Sequence, residues 1–253
     1  MNALTLKNNK LLILIFKTMR KFNRKYNELR KIRAETNFNK YAEGSCLISF
    51  GDTQVICNAT IEKTTPNWLK DAKIGWITAE YCMMPRATNS RTSREAKIGK
   101  QNGRSMEIQR LIGRSLRAGI DLTSIQGYQI IVDCDVIQAD GGTRTTSITG
   151  AFIALVLAIK KLKEIKTNPI LDYISAVSCG FCEQNILLDL DYDEDASAET
   201  DANFVMSKRL GIVEIQASAE KKPFSKLHFE EMYKLALQGT DELFKLQRKF
   251  LSE

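Results

Sequence analysis

Three stretches of the chain carry residues suited to chemistry on phosphates. The first, Gln138-Ala-Asp140-Gly141-Gly142-Thr143-Arg144-Thr-Thr-Ser147, lies between an alternating apolar segment and an apolar helical one. Glycines at a strand-to-helix junction let the backbone turn with its N–H groups outward, and the following helix adds partial positive charge at its N-terminus. Thr143 brings a hydroxyl and Arg144 a rigid fork of donors, so this segment predicts a small anion cradle matched to phosphate. It has neither the lysine of a G-x-x-x-x-G-K-[ST] loop nor the glycine spacing of the dinucleotide fingerprint. The competing reading is a tight turn that merely needs positive φ.

The second stretch runs from Pro85 to Arg104, where Arg86, Arg91, Arg94, Lys97, Lys100 and Arg104 are set against one acid, Glu95. It has no apolar periodicity to bury, which leaves it solvated and open to phosphates; an ordinary surface loop is the alternative. The third is acidic: Asp189, Asp191, Asp193, Glu194, Asp195, Glu199 and Asp201 follow one another with no basic residue between them. Carboxylates at this density repel, so some pKa values should rise or a divalent cation should be drawn in. The offsets of an EF-hand are absent, and a solvated acidic loop is the bland reading.

Other residue types narrow the chemistry. His228 is the only histidine, which excludes a nuclease using two histidines as acid and base, and its place on the closing helix indicates a structural role. Six cysteines are scattered along the chain, as suits a reducing compartment. Cys179 and Cys182 have suggestive spacing, but they fall on a strand and read as two buried thiols rather than a zinc or redox pair. The 37 Lys and Arg against 30 Asp and Glu give a net charge of +7, which favours an anionic partner. The apolar run Leu11 to Phe16 is too short for a bilayer, which needs about 20 residues, and basic sequence follows it. No membrane association is expected, and a cytoplasmic location is. Residues 1–18 read as an upstream extension ahead of Met19, and residues 19–253 as one domain.

The elements that must position these stretches are legible from periodicity. Ser45 to Phe50 and Thr53 to Ile61 predict a hairpin around Gly51-Asp52, with Val55, Cys57, Ala59 and Ile61 on one face. Gly75 to Tyr81 and Tyr128 to Gln138 predict strands, as do segments near Ile174 to Phe181, Ile186 to Leu190, Phe204 to Met206 and Gly211 to Gln216. Helices are predicted over Ser105 to Ala118, Thr145 to Lys163 (largely apolar, hence buried) and Lys226 to Phe250, the last with Ser225 as N-cap. With 43% apolar residues the chain can bury a sizeable core.

The blocks Ala42-Glu-Gly-Ser45, Gly75-Trp-Ile-Thr-Ala-Glu-Tyr81, Met84-Pro-Arg-Ala-Thr88, Glu107 to Arg117, Asp133 to Thr145 and Pro223-Phe-Ser225 resemble the bacterial RNase PH proteins. These are phosphorolytic 3′→5′ exoribonucleases that trim RNA 3′ ends, tRNA precursors especially. The resemblance runs from about Asn27 to the C-terminus. It implies an α+β fold, a single domain of mixed β-sheet and packed helices. It also implies a left-handed βαβ crossover, which the usual handedness rule does not predict, and a homo-hexameric ring built as a trimer of dimers. Residue by residue, it implies that Arg104, Gly142, Thr143 and Arg144 bind phosphate and that Asp195 and Asp201 are the catalytic carboxylates. Arg86, Arg91 and Arg94 would guide RNA. Inorganic phosphate would be the co-substrate. Asp195 and Asp201 would hold Mg²⁺, or Asp195 would donate a proton to the leaving oxygen. Asp140 is left a structural role at the strand end.

Two rivals stand beside this. A hydrolytic two-metal nuclease would use the acidic cluster and release monophosphates. A non-catalytic RNA-binding ring subunit would have lost the aspartates or cradle arginines, which this chain keeps. Cys82 replaces a glycine usual in the family, and Cys179 and Cys182 replace small aliphatic residues, none of them in the cradle.

Overall fold

Val55, Cys57 and Ala59 alternate with the half-buried Gln54, Ile56 and Asn58, and all three are fully buried on one face of a strand. The computed structural model describes residues 20–69 and 71–252; the expected extension over residues 1–18 lies outside them. Strands β1 (Ile32–Thr36), β2 (Gly44–Phe50), β3 (Thr53–Glu62), β4 (Trp76–Met83) and β5 (Gln129–Gln138) form a sheet in the order β1-β2-β3-β5-β4. Strands β6 (Ile174–Cys182), β7 (Asn185–Leu188), β8 (Thr200–Ser207) and β9 (Gly211–Ala219) form a second, in the order β7-β6-β8-β9. The helices are α1 (Glu95–Ile98), α2 (Gly103–Ala118), α3 (Thr143–Ile159), α4 (Tyr192–Ser197) and α5 (Lys226–Phe250). The fold is therefore α+β. The parallel pair β4 and β5 is joined through α2, where the expected crossover falls. No helix among the described residues is long and apolar enough to cross a membrane.

Helix α3 is the layer between the sheets, packed on β2 and β3 on one side and β6 on the other, with nearly every side chain buried. Its expected span, Thr145 to Lys163, is corrected at both ends. Gly142 takes a left-handed conformation as N-cap, so the helix begins at Thr143, and it closes at Ile159, where the chain becomes lysine-rich. Thr145 and Thr146 turn their hydroxyls back onto the Gly142 carbonyl, both at 2.9 Å, which makes polar residues tolerable in a buried first turn. Helix α2 starts two residues before Ser105 because Asn102 caps it, accepting from the Ser105 N–H at 2.7 Å. Ser225 caps α5 as expected, and the hairpin registers Phe50 against Thr53. Cys179 and Cys182 are free and buried, and burial pushes the Cys182 thiol up to about 12. His228 stacks on Phe181 at 4.3 Å. One apolar cluster runs through both sheets and the helices on them.

The acidic stretch departs from expectation. Most of its carboxylates are paired, and repulsion survives at Asp195, where Asp201 helps to raise the pKa. Asp191 caps α4 in a reciprocal capping box with Glu194. Arg20 grips Glu194 with two bonds of 2.6 and 2.8 Å. Arg24 lies 3.2 Å from Glu194 and 3.6 Å from Asp191. Lys21 reaches Asp193 at 2.9 Å and Lys222 reaches Glu199 at 3.3 Å. Arg30 holds Asp189 in a buried fork, Nη2 to Oδ1 at 2.7 Å and Nε to Oδ2 at 3.1 Å, while its own N–H donates to Oδ2 at 2.7 Å. Among the described residues, Asp195 and Asp201 are the two of the seven acids without an ion-pair partner.

Burial alone would raise the Asp189 carboxyl, but the charge and hydrogen bonds of Arg30, with Arg24 behind it, reverse this and leave its pKa below the usual range. A folded pKa below the unfolded value of about 3.9 means that the pair's stability is complete above about pH 4 and lost as pH falls through the folded value. Asp189→Asn should therefore cost about 3–5 kcal/mol at neutral pH, because Arg30 keeps a buried, uncompensated charge. It should also flatten the acid side of the stability curve, as measured by urea unfolding across a pH series.

Candidate active site

The glycine turn is shaped from inside the protein before any ligand is considered. Gly141 and Gly142 have φ of 76° and 64°, a region costly for residues with a Cβ. A Cβ on Gly141 would stand 2.6 Å from the carbonyl carbon of Asp191, and one on Gly142 would stand 2.9 Å from the Arg30 guanidinium. The tight-turn reading is borne out: the glycines fit the turn to its neighbours, and the turn then presents the start of α3. Thr53 Oγ1 donates to the Gly141 carbonyl at 2.6 Å and accepts from the Asp140 N–H at 2.9 Å. Arg30 Nη1 donates to the Asp140 carbonyl at 2.5 Å. Asp140 has the structural place expected at the strand end, with its carboxylate 3.6 Å from Lys21.

Helix α3 has no side-chain N-cap, so its first N–H groups remain available to an anion. Tyr81 donates its hydroxyl to Thr143 Oγ1 at 2.9 Å, which leaves the Thr143 hydroxyl hydrogen free to donate outward. Arg144 is aimed by Gln216 of β9, whose Oε1 accepts from Nη1 at 3.0 Å, and by Glu107 of α2 at 3.8 Å. Arg104, in the first turn of α2, is exposed and has neither hydrogen bond nor ion pair among the described residues.

These groups line one cleft of about 510 Å³. It brings together Arg104, Gly142, Thr143, Arg144, Asp195 and Asp201. Asp195 comes from α4 and Asp201 from the start of β8. The Asp195 carboxyl opens to solvent through the cleft, yet the protein packed around it raises its pKa, and Asp201 raises it further against the pull of Arg104, Arg144 and Arg30. Arg86, Arg91 and Arg94 do not line this cleft; they are exposed on the basic loop, whose Thr88, Asn89, Ser90 and Thr92 do. The cleft also contains Ser178, Tyr192 and Asn203.

Residues 28–160 match the profile of the 3′ exoribonuclease family, domain 1, and residues 172–239 match domain 2 of the same family. The chain belongs to the 3′ exoribonuclease family. As a member it is a 3′ exoribonuclease, of the ribonuclease PH kind: it is 54% identical over 233 residues to the Ribonuclease PH of Caulobacter vibrioides (strain NA1000 / CB15N), covering 91% of this chain and 98% of that protein. Rice (Oryza sativa) Rrp46 has the same fold, with a TM-score of 0.75 at 20% identity over 90% of this chain and 98% of that one. So does a chain of the Archaeoglobus fulgidus exosome with RNA bound to the active site, with a TM-score of 0.77 at 22% identity over 97% and 98%.

Several residues of this candidate site were not picked out from sequence. Arg30 and Thr53 act from other elements and carry no local signal. Tyr81 lay within a quoted block but without a role. Asn203 could have been found by strand period, because it stands two residues after Asp201.

Two outcomes test the site's construction. Gly141→Ala should cost about 2 kcal/mol or more, seen as a lowered midpoint in urea. Asp195→Asn should raise Tm at neutral pH while abolishing turnover, since it removes a carboxylate whose ionised form the fold disfavours.

Proposed function

We propose that the chain shortens RNA from its 3′ end by phosphorolysis, in the maturation of tRNA precursors and with a contribution to rRNA processing. The supporting observation is the pairing, in one cleft, of an anion cradle with the two carboxylates of the acidic stretch that have no ion pair. A hydrolase that activates water at two metals would have no use for the cradle. Inorganic phosphate is held by the first N–H groups of α3, the Thr143 hydroxyl, Arg144 and Arg104. It attacks the terminal phosphodiester, the bond to the 3′ oxygen of the preceding ribose breaks, and a nucleoside diphosphate leaves. Two anions must meet in this reaction, so the main protein contribution is alignment and charge neutralisation by the two arginines.

The departing 3′ oxygen needs a proton. Asp195, with its raised pKa, is the proton donor, and Asp201 keeps that pKa high. In the ionised state of Asp195 the same two carboxylates would instead hold Mg²⁺. No group of three or more His, Cys, Asp and Glu among the described residues could hold a metal ion, but Mg²⁺ commonly takes one or two carboxylates and completes its shell with phosphates and water. Bound there, it would neutralise charge at the reacting phosphates. Arg86, Arg91 and Arg94 contact RNA phosphates beyond the reacting nucleotide. The enzyme works in the cytoplasm, where its free thiols persist, as a homo-hexamer arranged as a trimer of dimers.

Incubation of the purified protein with a 3′-extended tRNA and Mg²⁺ should shorten the RNA only when phosphate is added, and should yield diphosphates; monophosphates would overturn the reading. Arg144→Ala should raise the phosphate requirement and lower turnover by about 10²-fold, leaving RNA binding intact by filter assay. Turnover should fall as pH rises above about 4 through the raised Asp195 pKa. Three phosphate contacts by the loop arginines predict a slope of about −2 for log affinity against log salt, lost in the triple alanine variant.

A further inference from the structure

Asn203 is 8% exposed, lines the cleft, and has no side-chain hydrogen bond among the described residues. Buried carboxamides are nearly always paired, and an unpaired one costs stability. Neither polar atom of this one is sealed off from the cleft without a partner, as the buried Asn58 oxygen is. The amide thus opens toward the space where the chemistry takes place.

Its position follows from the sheet. Asn203 is two residues after Asp201 on β8, so both side chains project from the same face. It is in register with Ser178 of β6 and Gln216 of β9, and residues directly opposite in an antiparallel ladder share a face. A polar row therefore crosses the floor of the cleft. Ser178 Oγ at one end accepts from the Leu190 N–H at 3.0 Å, and Gln216 at the other accepts from Arg144. The middle member, between the arginine of the phosphate cradle and the carboxylate of Asp201, is the unbonded one.

We propose that Asn203 is a further catalytic residue, whose Nδ2 donates a hydrogen bond to a non-bridging oxygen of the scissile phosphodiester. This rests on the phosphorolytic reading above. The residue type suits the place. A lysine or arginine there would pair with Asp201 and cancel the carboxylate, and an aspartate would repel the phosphate. A neutral amide supplies a donor without changing the charge on either side. Such a donor acts most strongly as negative charge accumulates on the phosphoryl oxygens.

The test compares Asn203→Ala and Asn203→Asp with the wild-type enzyme on a 3′-extended tRNA, following nucleoside diphosphate release at varied RNA and phosphate, with Tm measured in parallel. Asn203→Ala should lower kcat by about 100-fold, with the KM for phosphate unchanged and Tm not reduced, because no internal hydrogen bond is lost. Asn203→Asp should lower kcat further. The proposal is overturned by wild-type turnover in Asn203→Ala, by a loss that accompanies a fall in Tm, or by an effect confined to the KM for phosphate. Failure of the wild-type enzyme to release diphosphates would instead remove the phosphorolytic reading itself.

Discussion

A single buried guanidinium ties the two halves of the cleft together. Arg30 clamps the Asp189 carboxylate with three hydrogen bonds, counting that from its own N–H, and sends Nη1 to the Asp140 carbonyl. The first contact fixes the turn that leads into α4 and Asp195; the second fixes the turn that leads into α3 and its uncapped first N–H groups. Apolar packing in the turn before α4 is limited to Leu190 and its small cluster, and the glycine turn has none of its own. A planar fork with five donors spans such a gap in a way that a lysine cannot. Arg20 and Arg24 extend the arrangement by bracing Glu194 and the carbonyls before it.

The same network sorts the charges of the acidic stretch. Among the described residues, ion pairs hold five of its seven carboxylates, while Asp195 and Asp201 face the cleft without one. Opposite them Arg104 likewise has no ion pair among the described residues, and Arg144 is steered by a neutral glutamine with Glu107 at 3.8 Å. The cleft thus contains charges of both signs that the fold has left unsatisfied, which is the condition under which an incoming phosphate gains most. The stability cost is local, and the buried Arg30 pair lies directly beneath it.

How much of this was legible in sequence depended on the range of the signal. Val55, Cys57 and Ala59 announced their strand because the cause, one wet face and one dry, lies within the segment. Ser225 announced α5 for the same reason. The start of α3 was misplaced by two residues because Gly142 serves as cap through its backbone conformation, which no side chain advertises. Its end was misplaced because an all-round apolar helix has no polar face to show where burial stops. Repulsion in the acidic run held at Asp195 beside Asp201, while the pairing of its other acids was not legible because Arg20, Arg24 and Arg30 precede it by more than 150 residues. The cradle and the two carboxylates were legible as types, and the residues that aim them, Gln216, Tyr81 and Thr53, were not.

The seam between Gly141 and Asp191 has a different kind of consequence. It is a contact of main chain with main chain, with no space for even a methyl group between. Side-chain drift elsewhere in the cleft can alter what is bound there, but it has nothing to act on at this seam. The spacing between the start of α3 and the turn that carries Asp195 is therefore set by the path of the backbone itself, and substitutions among the side chains of the cleft leave that distance unchanged.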